Sequence, residues 1–263
     1  MPHSKANLNN LFAGALGAGT ISNQTSTLLT GHLGQVVVAG AAGMDSEDIE
    51  ASDITLITVL LDASSSIAGR SLEQAVRDGQ NQLLEAFRKS NESDSILLAQ
   101  WIFNHEETVL HAYLPLEDAV ALDKSNYQSR GTTRLYDTWC DALASNVAYA
   151  QQLRDSGTPC RSVVVVITDG EDVGSSRRAA DCAKISRDLL ASEQFVLAFV
   201  GVGNDADFKG VAKSMGVPDG CVEVLKNATA STLRRAFQMV SQSAIRASQG
   251  LVQPGHQAGF FAP

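Results

Sequence analysis

Residues 54–66 read ITLITVLLDASSS, a continuous apolar and β-branched run that ends in an aspartate followed closely by serines. A strand buried on both faces has this composition, because neither face meets water. Residues 163–172, VVVVITDGED, repeat the arrangement with a second aspartate. The two segments therefore predict central strands of a parallel sheet.

Helical and strand-like segments alternate around these two strands. Apolar residues recur at helical spacing in four long segments. They are Leu72, Val76, Leu83 and Phe87; Leu135, Trp139, Leu143 and Val147; Cys182, Ile185 and Leu189; and Leu233, Phe237, Val240 and Ala244. Further strands are predicted at 96–103, 107–113, 195–202 and 222–225, with a short helix at 207–215 and a capping Gly250 after the last helix.

Strands that alternate with helices imply right-handed crossovers and helices on both faces of the sheet. The strand at 107–113 follows its neighbour too closely for a helical crossover, so it is predicted at an antiparallel edge. The predicted fold is α/β and Rossmann-like: a doubly wound, mainly parallel sheet with one antiparallel edge strand.

Composition excludes several classes of protein. No apolar run in the 263 residues approaches the roughly 18 residues of a membrane span. The net charge is −9, and a phosphate backbone is bound mainly by concentrated positive charge, so nucleic-acid binding is not expected.

The four cysteines form no CxxC motif and are predicted to be buried thiols in a reducing compartment. The N-terminus has no signal-peptide pattern, so a cytoplasmic location is expected.

The chain divides into three predicted parts. Residues 1–52 form a Gly/Ala/Ser-rich N-terminal extension, residues 53–248 one domain, and residues 249–263 a C-terminal tail. Within the extension, Leu8, Leu11, Phe12 and Leu16 predict a short amphipathic helix after Ser4, and residues 35–39 suit a strand. The composition favours a flexible extension; the alternative is an arm that packs on its own domain or on a partner. The tail has no periodicity and is expected to be loose.

Oxygen-bearing side chains follow the predicted central strands. In an open parallel sheet the ligand site lies beyond the carboxyl ends of the strands. In extended chain Asp62, Ser64 and Ser66 point the same way, and Asp169 arrives from the second strand. A third loop, residues 131–133, adds a threonine hydroxyl. This all-oxygen set, without thiolate or imidazole, suits a hard divalent cation such as Mg²⁺ rather than Zn²⁺ or copper.

Three segments resemble a known family. ITVLLDASSS, GTTRLYDT and VVVVITDGED are similar, in this order, to the three parts of the metal-ion-dependent adhesion site (MIDAS) of von Willebrand factor A (vWA) domains. The segment FVLAFVGVGND also resembles that family. The resemblance covers roughly residues 53–248 and implies an intracellular member of bacterial type.

The resemblance implies a role for each site residue. Ser64, Ser66 and Thr133 would bind the metal through their hydroxyls, whereas Asp62 and Asp169 would act through bound waters and hydrogen bonds to the serines. Thr133 matches the family's threonine better than Thr132 because it stands two residues before the apolar Leu135. Ser65 and Thr132 replace glycines that are common in the family.

The resemblance also implies a function. The chain would be a divalent-cation-dependent protein-binding module, not an enzyme, that docks a partner's Asp or Glu carboxylate on Mg²⁺, with Mn²⁺ or Ca²⁺ as substitutes. An ATP-driven remodelling protein or self-assembly is the expected kind of partnership. One alternative is a scaffold that assembles through the N-terminal arm, with the metal site stabilising the fold. A metal-dependent hydrolase using Asp62 or Ser64 is disfavoured, because no GxSxG motif and no general-base histidine near a strand end is recognised.

Purely structural interpretations exist for some of these residues. Residues 64–66 could cap a helix, but capping would not explain why Asp62 and Asp169 both end apolar strands. The predictions for their neighbours are solvated positions for Glu171 and Asp172, a helix-dipole contact for Asp137, and core packing for Trp139 and Tyr149. For Arg134, a cation at the rim, two roles are open: attracting a partner carboxylate or balancing the local acids.

Overall fold

The computed structural model describes residues 4–256 and 259–261. Its sheet is built from β1 (Ile54–Asp62), β2 (Ile96–Phe103), β3 (Glu107–Pro115), β4 (Cys160–Thr168), β5 (Phe195–Val202) and β6 (Val222–Leu225). The strand order is β3-β2-β1-β4-β5-β6. All neighbouring pairs in it are parallel except β2 and β3, which are antiparallel. The predicted fold class, including the antiparallel edge strand, is confirmed.

Helices cover the sheet. The helices from β1 onward are α4 (Ser65–Gly69), α5 (Glu73–Arg88), α6 (Leu135–Asp155), α7 (Ala179–Ala191), α8 (Phe208–Ser214) and α9 (Ala230–Ser248). α5 packs against α9, and α9 lies on β1, β4 and β5. α6 packs on β1 and β4 and against α7. Because β1, β2 and β5 are buried along their whole length, both faces of the sheet are covered, as their apolar sequences predict.

The N-terminal extension is ordered, so the expected flexible tail is wrong for the described residues 4–52. Residues 4–52 contain α1 (Lys5–Gly17), α2 (Asn23–Gly31) and α3 (Gln35–Gly40). α1 and α3 pack on α6, and the side chains of Leu8 and Phe12 are completely buried. The apolar residues thus find their partner within the chain. Residues 1–3 lie outside the described part.

The strand suggested for residues 35–39 is also wrong, since these residues form helix α3. Val37 is buried, and its carbonyl accepts a hydrogen bond from the Ser145 hydroxyl of α6 at 3.1 Å. A Cβ on Gly40 would lie 2.2 Å from the Trp101 ring, so the chain approaches the domain closely here. Tertiary packing on α6 therefore overrides the β propensity of the three valines.

Part of the C-terminal tail is packed as well. Val252 and Phe260 are buried, and the Gly255 N–H donates to the Phe195 carbonyl at 2.9 Å. The expectation of a loose tail is therefore wrong for residues 251–256 and 259–261. The same expectation for residues 257–258 and 262–263 falls outside the described part.

Predictions about the interior are confirmed with one exception. Trp139 and Tyr149 are completely buried on α6. Cys140, Cys182 and Cys221 are buried, and the sulfur atoms of the first two are 3.5 Å apart. Cys160 is only half-buried, so the prediction of four buried thiols is wrong for this residue. Within residues 4–256 and 259–261, no helix is both long and apolar enough to cross a membrane.

Candidate functional site

Three loops meet at the carboxyl ends of β1 and β4. The first follows β1 and leads into α4, the second precedes α6, and the third follows β4. Backbone hydrogen bonds tie the first two together: the Ser65 N–H donates to the Gly131 carbonyl at 3.0 Å, and the Arg130 N–H donates to the Ala63 carbonyl at 2.8 Å. The Val173 N–H donates to the Thr133 carbonyl at 2.7 Å and ties the third loop to the second. The three loops thus form one connected surface.

Asp62 lies at the base of this surface and is almost completely buried. Its Oδ1 accepts the Ser64 N–H at 2.8 Å, and its Oδ2 accepts the Thr168 hydroxyl at 2.5 Å. Burial raises the pKa of Asp62 to about 6, against the opposing effect of the Thr168 hydrogen bond. Thr168 was missed from the sequence, because its role depends on the pairing of two strands that are far apart along the chain.

Ser64, Ser66 and Asp169 form a hydrogen-bonded row above Asp62. The hydroxyl oxygens of Ser64 and Ser66 are 2.9 Å apart, and the Ser66 hydroxyl donates to Asp169 Oδ1 at 2.6 Å. Ser64 stands at the N-cap position of α4, but its side chain makes no capping hydrogen bond. This geometry disfavours helix capping as the reason for the serines.

Thr133 borders the same row. Its side chain is buried, and a Cβ built on Gly170 would lie 3.4 Å from its hydroxyl oxygen, so the hydroxyl faces the residue after Asp169. Thr132 is exposed, and its hydroxyl lies toward Gly174 instead. Thr133 is therefore the threonine whose hydroxyl faces the residue next to Asp169.

Arg70 was missed by sequence reasoning, although it lies in this group. Its guanidinium donates through Nη1 to Asp169 Oδ2 and through Nη2 to Asp205 Oδ2. Burial raises the pKa of Asp169, while the hydrogen bonds from Ser66 and Arg70 act in the opposite direction. One signal was available: Arg70 follows Ser66 by four residues, which places both on one side of a helical turn.

The family model of the von Willebrand factor type A domain matches residues 57–238. The chain belongs to this family. Whether this vWA domain is of the intracellular bacterial type stays a prediction.

Solved structures of vWA-like fold agree with this membership. The PilB minor pilin from Streptococcus sanguinis is 11% identical with a TM-score of 0.56, over 77% of this chain and 63% of that chain. Proximal thread matrix protein 1 from the mussel byssus is 22% identical with a TM-score of 0.52, over 74% and 47%. A von Willebrand factor type A protein from Catenulispora acidiphila is 14% identical with a TM-score of 0.50, over 73% and 43%.

These matches span less than two thirds of the solved chains, and at these identities they show the fold alone. A search of curated protein sequences finds no match.

The side chains at the site of the vWA domain fit a hard divalent cation. The candidate ligand atoms are all carboxylate or hydroxyl oxygens, the ligand type that Mg²⁺ prefers, and they belong to Asp62, Ser64, Ser66, Thr133 and Asp169. In the described part of the chain, no group of three or more His, Cys, Asp or Glu could hold a metal ion. A metal here would therefore depend on the hydroxyls of Ser64, Ser66 and Thr133, with Asp62 and Asp169 behind them.

Two aspartates clamp the third loop to the start of α6, and both differ from their predicted roles. Asp172 Oδ1 accepts the Tyr136 N–H at 3.0 Å, so Asp172 is more than a solvated rim residue. Asp137 accepts the backbone N–H groups of Ser176 at 2.8 Å and Arg177 at 2.9 Å, so it does more than face a helix dipole. Together they fix Thr133 relative to Asp169. Glu171 is exposed, as predicted.

A buried acid–arginine cluster adjoins this clamp and consists of Glu107, Arg134, Asp137, Asp141 and Arg177. Arg134 pairs with Asp137 at 2.5 Å, and Arg177 pairs with Asp141 at 2.6 Å. Arg134 therefore balances local acids, one of the two roles considered for it. Burial and then the Asp141 charge raise the pKa of Glu107 to about 8, opposed by Arg134.

A histidine also lies at the rim, contrary to the expectation that none stands near a strand end. His105 follows β2, and a Cβ on Gly131 would meet its ring at 2.0 Å. Gly131 has a φ of +70°, so glycine satisfies both the backbone conformation and the close approach of the ring.

Proposed function

We propose that this vWA domain is a divalent-cation-dependent protein-binding module that docks an Asp or Glu side chain of a partner protein on Mg²⁺. The observation that carries the proposal is the row of Ser64, Ser66 and Asp169 above the buried Asp62, with the Thr133 hydroxyl beside it. Mn²⁺ or Ca²⁺ would substitute, since the same oxygens suit them.

The two classes of side chain have separate tasks in this proposal. Asp62 holds the backbone of Ser64, and Asp169 holds the Ser66 hydroxyl, so both hydroxyl oxygens are presented at fixed positions. Because these hydroxyls are neutral, they leave most of a cation's charge uncompensated. The bound cation would supply an open coordination position for a partner carboxylate, in a strong charge-assisted contact.

The structure gives no support to the alternative of a scaffold protein that assembles through its N-terminal extension. Assembly through the N-terminal extension was considered because its apolar residues needed a partner, and α6 of the same chain covers Leu8 and Phe12. The proposal includes no enzymatic activity, and the absence of such activity stays a prediction. The cytoplasmic location and an ATP-driven remodelling partner stay predictions.

Metal titration tests the first half of the proposal. Isothermal titration with Mg²⁺ or Mn²⁺ should show one site that Ser64→Ala abolishes. Ser65→Ala is the matched control, because Ser65 is the exposed serine between the two hydroxyls of the row, and it should retain binding. A flat titration of the unmodified chain would refute the metal site.

Affinity capture tests the second half. Partners captured in Mg²⁺ should be lost in EDTA and with Ser64→Ala, but kept with Ser65→Ala. Partners retained equally in all four conditions would show that the metal site is not the docking point.

A further inference from the structure

Arg70 places a positive charge beside Asp169 at the candidate metal site. Its guanidinium contacts Asp169 on one side and Asp205 on the other. The Asp169 side chain is almost fully buried, whereas 29% of the Arg70 side chain remains exposed. The positive charge therefore approaches the carboxylate from the solvent side.

Both oxygens of Asp169 are engaged by donors of the chain itself. Oδ1 accepts the Ser66 hydroxyl and Oδ2 accepts Arg70. A buried carboxylate is costly unless it is paired and hydrogen-bonded, and the Arg70 charge meets this need without any bound ion.

We propose that Arg70 is a built-in counter-ion that competes with the divalent cation for Asp169 and thereby sets the metal affinity of the site. This inference rests on the proposed function, because it concerns the regulation of the same site. A cation bound at the Ser64 and Ser66 hydroxyls lies close to Asp169 and hence to the guanidinium. The two positive charges repel each other at short range, so the site fills only when the metal concentration is high enough to displace or outweigh Arg70.

A purely positioning role for Arg70 predicts the opposite change in metal affinity. If Arg70 served only to hold Asp169 in position, its removal would disorder the carboxylate and weaken metal binding. The sign of the change in affinity therefore separates a competitor from a positioning residue.

The experiment is metal titration of the whole chain with Mn²⁺ and Mg²⁺ at fixed pH and salt. Arg70→Gln removes the charge and keeps most of the side-chain length, and it should bind metal roughly three- to tenfold more tightly, a range limited by solvent screening. Arg70→Lys keeps the charge and should stay within about twofold of the unmodified chain.

Arg130→Gln is the matched control. Arg130 is a rim arginine on the second loop that pairs with Glu106 and makes no ion pair with Asp169. Arg130→Gln lowers the positive charge of the rim by the same amount as Arg70→Gln, but it should change the metal affinity less than about twofold. A gain equal to that of Arg70→Gln would mean that general charge, not the Asp169 contact, sets the affinity, and would overturn the inference.

Thermal unfolding gives a second readout. Ligand binding to the folded state raises the melting temperature according to its affinity, so a subsaturating Mg²⁺ concentration should raise that of Arg70→Gln more than that of the unmodified chain. If Arg70→Gln does not fold, Arg70→Ala replaces it in both assays, since the partly exposed side chain leaves no enclosed cavity.

Unchanged or weaker binding by folded Arg70→Gln, or by Arg70→Ala where it replaces that variant, would overturn the inference while leaving the proposed function intact, provided that the unmodified chain binds metal through Ser64. Absence of binding in the unmodified chain and in every variant would refute the proposed function, and this inference with it.

Discussion

Asp137→Asn is the perturbation that best tests how the site is held together. Only 4% of the Asp137 side chain is exposed, and its carboxylate accepts the N–H groups of Ser176 and Arg177 and the guanidinium of Arg134. Burial acts to raise the pKa of Asp137, but these donors outweigh it and the pKa is lowered. The carboxylate is therefore ionised at neutral pH and serves as the acceptor that joins the third loop to α6.

The expected loss of stability follows from these contacts. An amide has one acceptor oxygen, and its NH₂ would face groups that also donate. A hydrogen bond to a charged group contributes about 1.5–3 kcal/mol, and breaking a buried ion pair costs about 3–5 kcal/mol. Because 31% of the Arg134 side chain is exposed, water replaces part of the loss. We expect the free energy of unfolding to fall by about 3 kcal/mol, which lowers the melting temperature by about 6–12 °C.

Urea unfolding, monitored by the fluorescence of the buried Trp101 and Trp139, measures this change. Asp78→Asn is the control, because Asp78 is exposed on α5 and its substitution should change the free energy by less than about 0.5 kcal/mol. Metal affinity of Asp137→Asn should also fall, since the loop contact of Thr133 loosens. A loss of less than about 1 kcal/mol in the free energy of unfolding would refute the role of Asp137 as a clamp. It would mean that backbone contacts hold the third loop on α6 without the carboxylate.

Two further predictions concern packing and pH. Phe12→Ala should lower the free energy of unfolding by about 3–5 kcal/mol, because the ring is completely buried, whereas Asn10→Ala on the exposed face of α1 should have little effect in the same urea assay. The pKa of Glu107 is about 8 in the folded chain against an ordinary 4.5, so the folded state keeps a proton that the unfolded chain has lost. The stabilisation that the folded state gains from the neutral Glu107 is fully present below pH 4.5 and is lost as the pH rises to about 8. Glu107→Gln should therefore reduce the decline in the free energy of unfolding between pH 5 and 9. Equal slopes for both proteins would contradict that assignment.

The central sheet could be predicted from the sequence because each strand carries its own signal. β2, β5 and β6 have the predicted bounds, and β1 extends one residue beyond its predicted apolar run. β1, β2 and β5 are buried along their whole length, so their continuous apolar sequences agree with their final environment.

The first helix of the N-terminal extension, predicted after Ser4, is confirmed as α1, but the packing of the extension could not be predicted, because the surface that orders it is remote in sequence. α1 and α3 pack on α6, about a hundred residues away. One signal lay in α6 itself: small residues such as Ala142, Ala148 and Ala150 stand where a surface helix would carry charges, and nearly the whole helix is buried. A helix that is buried on nearly all sides needs a cover on each of them, and the extension provides one.

That the five candidate site residues lie on neighbouring loops and strand ends could be predicted, because each follows or precedes an element with a clear pattern. What the sequence does not reveal is how they are supported. The contacts of Thr168 with Asp62 and of Arg70 with Asp169 join segments that are far apart in the chain, and they depend on the order of strands in the sheet. Such contacts leave no periodicity in the sequence.

The hydrogen bonds at the site also determine what cation binding would exchange. A hydroxyl has one hydrogen to donate, and Ser66 gives its hydrogen to Asp169, so Ser64 must donate in the contact between the two serines. Ser66 can keep its bond to Asp169 while its lone pairs face a cation, but Ser64 must turn its hydrogen away from Ser66. Asp62 keeps its hydrogen bonds from the Ser64 backbone N–H and the Thr168 hydroxyl throughout, since neither of these two groups is a proposed metal ligand. In the proposed site, metal binding would exchange two contacts, Ser64 with Ser66 and Arg70 with Asp169, and of these only the second carries charge. This difference makes Arg70, rather than the serines, the residue through which evolution or mutagenesis can tune the affinity without losing the site.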